Sequence, residues 1–599
     1  MAEYLSPGVY VEEFDSGMMP MDGVGTSTAG FIGMAERGSV IGTPLSVSSY
    51  ADYCRNYGGY LSAKTHGENC YLPYEVEKFF ANGGTRCYIM RVAPQDAKPA
   101  RTANNSKVWF EAANPGAWGN GIKFVLTERD NPKTKAKVDD AKTFTLSNTD
   151  GFEEGDIVAI SQNGGKATYG RIESMSGKTI TLGTDVGIAK SYEPAKPPEV
   201  KPGDAKDVKP EPPKPVDAHK FSGEVTILCC KLDLMITCGI MGPEETYEDI
   251  SLNDKSSDFI GNALAKSRLV KVHCSGQLVK DGANPMEAFP EKDNDDDERY
   301  ILAFTGGSDG NCKKLDESLY LGGGIEPGKR TGLEAFIEIS DVSIMAIPGI
   351  TSPVVQSALV AQCERLEDRF AILDMPCETV NPGELLKHRE TVDSSYCAMY
   401  HPWIESYDPL SKKTRCFPPS GFMAGIYARS DASRGVHKAP ANEVVNHANG
   451  LYCLYNKGDQ DQLNPKGVNL IRALPGQGIR VWGGRTCSSN ALWKYVNVRR
   501  LFIYLEETIK ASTNWVVFEP NDEVLWDRVR LTITAFLRDM YRDGALVGSS
   551  EDQAFFVNIG PDTMSQQDIL NGRLICVIGV APSRPAEFVI FRITQKTGE

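Results

Sequence analysis

The sequence predicts a multidomain α/β (α+β) chain. Its core is a sheet flanked by helices, interrupted by an inserted, mainly-β outer region, and extended strand-forming arms lie at both termini. Three patterns carry that expectation. From Gly332 onward, strand-like and helix-like segments alternate regularly, as they do where a sheet is covered by helices. Between Phe144 and Leu182, short strand-like runs are punctuated by Gly151, Gly155, Gly164, Gly165 and Gly177, the texture of a small β-barrel or β-sandwich. At the two ends, Val9, Tyr10, Val11 and Phe14, and Phe588, Val589, Ile590, Phe591 and Ile593, lie in short segments with the period-two spacing of isolated strands.

The terminal segments have no pairing partner beside them in sequence. A lone strand is not stable in water, so each must add to a sheet edge. Addition to the edge of another copy is a heterologous contact, and repeating it builds rings or helical filaments. Pairing of the two ends inside one subunit is the alternative that the pattern leaves open.

A chain of 599 residues divides into two to four domains. Residues 1–22 form the first arm and 23–100 the first part of the core, with strands over Thr28–Met34 and Arg86–Val92 and a helix over Tyr74–Phe80 that Asn82-Gly83-Gly84 stops. Residues 101–330 form the inserted region, with the β-module over 143–183, a proline- and lysine-rich spacer over 193–217, and further strands at Val225–Cys238. Residues 331–585 complete the core. Strands are expected at Val342–Ile347, Phe370–Asp374 and Tyr396–Tyr400, and helices at Val354–Arg369 and Glu384–Val392. Glu523–Asp543 is the clearest helix: Asp522 can cap it, Gly544 ends it, and Val529, Ile533, Phe536, Leu537 and Met540 form one apolar stripe. Residues 586–599 form the second arm.

Composition narrows the function. A formal net charge of −15 argues against binding a nucleic-acid backbone. The fifteen cysteines have no disulfide-framework spacing and read as reduced thiols of a chain folded in the cytoplasm. No signal peptide is evident at the N-terminus, and the apolar stretch Val342–Ile350 is too short to span a bilayer, so no membrane insertion is expected. Gly306-Gly307-Ser308-Asp309-Gly310 fits G-x-S-x-G, which would make Ser308 the nucleophile of a hydrolase. A nucleophile elbow must open into a helix packed on the sheet, and Asn311–Glu317 is too polar for that, so a glycine-rich turn is the better account. Gly177-Lys178-Thr179 lacks the first glycine of a phosphate loop, where Ile172 stands. The acidic run around Asp293, Asp295 and Asp297 has Glu298 and Phe304 where a calcium loop needs glycine and glutamate. The seven histidines show no ligand spacing, so neither a metal nor a cofactor is expected. Arg528, Arg530, Arg538 and Arg542 on the Glu523 helix form either a solvated face or a surface that docks on an acidic partner.

Taken in order, Tyr4–Glu13, Thr28–Gly33, Asn82–Tyr88, Pro115–Gly121, Gly306–Gly310, Pro418–Gly421, Gly478–Thr486, Tyr495–Leu501 and Phe518–Asn521 resemble segments of the contractile tail sheath proteins of phage tails and phage-tail-like injection systems. The match covers residues 1 to 121 and 300 to 599; the β-module and spacer have no general counterpart. The resemblance implies a non-enzymatic subunit of stacked six-fold rings around an inner tube protein, capped by baseplate and terminator proteins. Both arms would donate strands to the C-terminal domains of neighbouring copies. It implies contraction from a metastable extended state without a fuel, in a particle assembled in the bacterial cytoplasm. Arg528, Arg538 and Arg542, with Arg499 and Arg500, are the expected inner-tube contacts. A static tube or capsid protein is the other reading that shares this assembly logic.

Overall fold

The computed structural model describes residues 21–588 and 590, except 185–187, 193–214, 220, 240–242, 281, 294–299 and 314. It forms two compact units. One comprises residues up to 35, 39–93 and 312 onward; the other comprises 36–38 and 94–311.

The first unit is built on an eight-stranded sheet in the order Leu45–Val47, Cys87–Val92, Ala29–Met34, Ile344–Ala346, Phe370–Asp374, Cys397–His401, Val468–Leu474, Gly478–Val481. The central strands are parallel and the two edge strands antiparallel. A parallel sheet must bury both faces, which is why its strands are continuously apolar; all of Ala29–Met34 is buried. Alternate residues face opposite layers. Phe31, Ile89, Ile344, Phe370 and Ile372 pack under the helices Leu72–Ala81 and Ser420–Arg434. Ile32, Met90, Met345, Ala371, Leu373 and Met399 pack under Pro353–Leu366 and Pro382–Arg389.

Pro418-Pro419-Ser420-Gly421 acquires a local role here. Asp374, at the end of its strand, accepts hydrogen bonds from the Gly349 N–H (2.9 Å), the Ser420 N–H (2.9 Å) and the Ser420 hydroxyl (2.7 Å). Glu75 accepts from the Gly421 N–H at 2.9 Å. Two carboxyls therefore meet the N-terminus of Ser420–Arg434, where orphan amides and the helix dipole favour them. Full burial pushes the Asp374 carboxyl up to about 6, and burial followed by the charge of Asp374 raises that of Glu75.

In the second unit, Lys133–Val138, Thr143–Leu146, Ile157–Ser161, Thr168–Ser176, Thr179–Leu182 and Glu224–Cys229 close into a barrel around Phe144, Ile160, Ile172, Ile180 and Ile227. The β-module is thus wider than 143–183. Strands from either side are recruited because closure requires every edge to pair. The same unit holds an antiparallel four-stranded sheet, Glu244–Ile250, Leu232–Cys238, Ile122–Glu128, Tyr300–Ala303, and an antiparallel pair, Val108–Ala112 with Val270–Cys274. Most of the proline-rich spacer, residues 193–214, lies outside the described residues, but its last part is not spacer: Pro215–His219 pairs with Ile188–Tyr192. The unit's limits also differ from 101–330. Residues 312 onward belong to the first unit because Tyr320, Leu333 and Phe336 are buried in the core against its sheet.

Candidate assembly site

The last part of the first unit is a small helix-and-sheet layer. Glu523–Arg542 begins at Asp522, whose carboxylate accepts from the Leu525 N–H at 2.9 Å. Asn521 receives the Trp526 indole N–H at 2.7 Å and donates to the Arg573 carbonyl at 3.0 Å. Phe518-Glu519-Pro520-Asn521 thereby fixes the start of this helix. The buried stripe Leu525, Trp526, Val529, Ile533, Phe536 and Leu537 packs against Phe555 and Ile559 of the strand Phe555–Ile559. That strand pairs antiparallel with Cys576–Val580, and these two strands make up a complete sheet of their own. On the outward face Phe556, about half exposed, lies against Gly579.

Among the described residues, neither outer edge of this two-stranded sheet has a ladder partner. Two strands alone are marginal in water, and an open edge is a template for another chain. The site can therefore accept one extended segment on each side.

The candidate donors fall mostly outside the described residues: Val9, Tyr10, Val11, Phe14, Val589, Phe591 and Ile593 all do. Phe588 and Ile590 are described; both are exposed, at 74% and 79%, and neither is in a strand.

The expected inner-tube contacts divide. Arg499 and Arg500 are buried, which corrects their reading as a docking surface. Arg500 forks onto Asp431 at 2.6 and 2.9 Å, donates to the Thr26 carbonyl at 2.9 Å, and lies 4.8 Å over the Tyr427 ring. Arg499 sits 3.6 Å over Trp493 and 4.4 Å over Tyr396 and donates to Ser395 Oγ at 3.0 Å. On the Glu523 helix, Arg528 stacks 4.8 Å over Trp515, Arg538 pairs with Glu551 at 3.0 Å, and Arg542 lies 3.7 Å from Asp539. Arg530 pairs with Asp527. This face is therefore a mixed-charge surface, with Val524 and Leu531 exposed between the ions.

Ser308 is part of a clasp. Gly307 N–H donates to Asn120 Oδ1 and the Asn120 amide returns a bond to the Gly307 carbonyl, each at 2.9 Å. Asp309 accepts from the Ala117 N–H at 2.8 Å, and Asp96 from the Asn311 N–H at 3.0 Å. Ser308 Oγ accepts from the Gly310 N–H at 3.2 Å. A Cβ on Gly307 would stand 2.6 Å from the Gly116 carbonyl oxygen, so only glycine allows the two segments this close. Gly306–Gly310 and Pro115–Gly121 thus hold each other, and no helix opens from the turn, which removes the hydrolase reading of Ser308. Among the described residues no three potential ligands gather as a metal site, and no helix is long and apolar enough to cross a membrane.

Comparison with known proteins bears on this same region. Residues 323–487 match the phage tail sheath protein central domain and residues 488–596 the phage tail sheath C-terminal domain. A putative prophage major tail sheath protein of Pseudomonas aeruginosa (strain UCBPP-PA14) is 25% identical over 305 residues, spanning 49% of this chain and 76% of that protein. The tail sheath protein of Escherichia phage P2 is 27% identical over 288 residues, 46% of this chain and 69% of that one. In fold, the chain is similar to the anti-feeding prophage helical sheath in its contracted state. That TM-score is 0.51 over 98% of this chain and 99% of the other, at 20% identity.

Proposed function

The chain belongs to the phage tail sheath family, and from that premise we propose that its copies link into a helical sheath by exchanging terminal strands. The chain is a structural subunit of a contractile sheath, not an enzyme. The observation that carries strand exchange is a match in number. The Phe555–Ile559/Cys576–Val580 sheet has two open edges, and the chain has two strand-forming ends. Each arm adds to one edge of a neighbour's sheet. A five-residue edge offers about five outward ladder bonds, so at a net ~1 kcal/mol each an arm contributes about 5 kcal/mol before side chains are counted. Links of that strength hold neighbouring subunits together while their relative positions change.

The sheath stacks as six-fold rings around an inner tube protein, with baseplate and cap proteins at its ends. It is assembled in the bacterial cytoplasm and acts in a phage tail or phage-tail-like particle. Assembly around the tube traps the extended form kinetically, and contraction releases it into tighter subunit packing without a nucleotide. The tube-facing surface is the outer face of Glu523–Arg542, with Arg528, Arg538 and Arg542 as its cations; Arg499 and Arg500 have no part in it. Deletion of residues 1–15 tests the reading. A folded, soluble subunit that forms no tubes in electron micrographs is the expected result, and tubes in normal yield would refute the arm assignment.

A further inference from the structure

The two arms have their roots on or beside the same helix. Near the N-terminus, Gly23 lies against Tyr504 so closely that a Cβ there would stand 2.1 Å from its hydroxyl oxygen. The Val24 N–H donates to Thr508 Oγ1 at 3.3 Å, and the Thr26 carbonyl accepts from Arg500 at 2.9 Å. All three partners belong to the helix Val496–Ser512. At the other end of the chain, the Ser583 carbonyl accepts from Asn497 at 3.2 Å, in the first turn of that helix. Glu587 is then seized on several sides. Arg485, 4% exposed, forks onto its two carboxylate oxygens with Nε at 2.7 Å, the Tyr495 hydroxyl donates at 3.0 Å, and Lys494 stands 3.9 Å away. Glu587 immediately precedes Phe588, the first residue of the candidate donor strand. Asn497 and Thr508 are about 16 Å apart along a helix that rises 1.5 Å per residue.

We propose that Val496–Ser512 is a strut from which both arms leave. Arg485 and Tyr495 hold the C-terminal root at Glu587, and Arg500, Tyr504 and Thr508 hold the N-terminal root at Gly23–Thr26. This deepens the strand-exchange reading and rests on it. With one root on the helix itself and the other on its first turn and on the residues that lead into it, load on a link to one neighbour passes by a short path to the link with another. This arrangement also gives Gly478–Thr486 and Tyr495–Leu501 a shared purpose: one supplies the arginine that clamps the second arm, the other the strut itself.

Digestion of the unassembled full-length chain with a glutamyl endopeptidase tests the clamp directly, because Glu587 is both the clamped residue and a cleavage site. Arg485→Ala is expected to speed cutting after Glu587 at least tenfold while cutting after Glu12 and Glu13 stays unchanged. Tyr495→Phe, a milder change, is expected to speed it about threefold. Tubes built from either variant are then expected to lose their single helical pitch. Unchanged cleavage after Glu587 in both variants, or wild-type pitch with complete contraction, overturns the proposal. The underlying reading fails separately: a chain lacking residues 588–599 that assembles normally sinks strand exchange whatever the digestion shows.

Discussion

Replacing Arg500 by methionine breaks a deeply buried ion pair in the first unit. The Arg500–Asp431 pair is 3% exposed on each side chain, and the guanidinium makes two bonds to the carboxylate. Methionine fills much of the volume but leaves the Asp431 carboxylate dry and uncompensated, and it removes the donor to the Thr26 carbonyl. Stranding one member of a buried pair costs about 3–5 kcal/mol. The added loss of a neutral backbone acceptor's partner costs about 1 kcal/mol. Arg500→Met is therefore expected to lower the unfolding free energy of this unit by about 4–6 kcal/mol at pH 7. Urea titration of the unassembled chain, followed by tryptophan fluorescence, reads the loss. Because burial of both charges is itself costly, Arg500→Met with Asp431→Leu should recover most of it, so the two single losses should be strongly non-additive. A single-mutant loss below about 1 kcal/mol, or strictly additive losses, would refute the reasoning.

Phe556→Asp changes a half-exposed residue on the outward face of the Phe555–Ile559/Cys576–Val580 sheet, so the subunit should lose no more than about 2 kcal/mol; tube yield by sedimentation should nevertheless fall at least tenfold. Asp374 has its folded value raised from 3.8 to about 6, so the folded state holds its proton more tightly than the unfolded one. Its contribution is full below pH 3.8 and is lost as pH rises through about 6, a change of about 3 kcal/mol. Asp374→Asn should accordingly flatten part of the decline in thermal stability between pH 4 and 7, the remainder belonging to Glu75 and other groups; an unchanged profile counts against the buried-acid account. Arg538→Glu with Arg542→Glu places like charges beside Glu551 and Asp539 and removes two outward cations. Co-sedimentation with the inner tube protein should weaken severalfold, and unaltered co-assembly would move the tube contact elsewhere.

Local features of the chain are legible wherever the determining residues lie within about ten positions of one another. The helix Glu523–Arg542 follows from its own cap and apolar stripe, and the buried strands Ala29–Met34 and Phe370–Asp374 from their unbroken apolar runs. The ordered motifs, from Thr28–Gly33 to Phe518–Asn521, carry the family likeness in the amino-acid order alone. Barrel closure escapes such a reading because the strand Glu224–Cys229 lies beyond the proline-rich segment and reveals its partner, Lys133–Val138, only in three dimensions.

The alternation of elements, the strand-like pattern of both ends and the family are thus written in the linear chain. Periodicity and capping act over one or two turns, so they survive without tertiary context. What the charged residues do is settled by packing instead. Arg500 and Arg485 look like any surface arginine in the sequence, yet their carboxylate partners are 69 and 102 positions away. Burial arises between distant segments, and it turns two apparently free cations into fixed points beside the two chain ends.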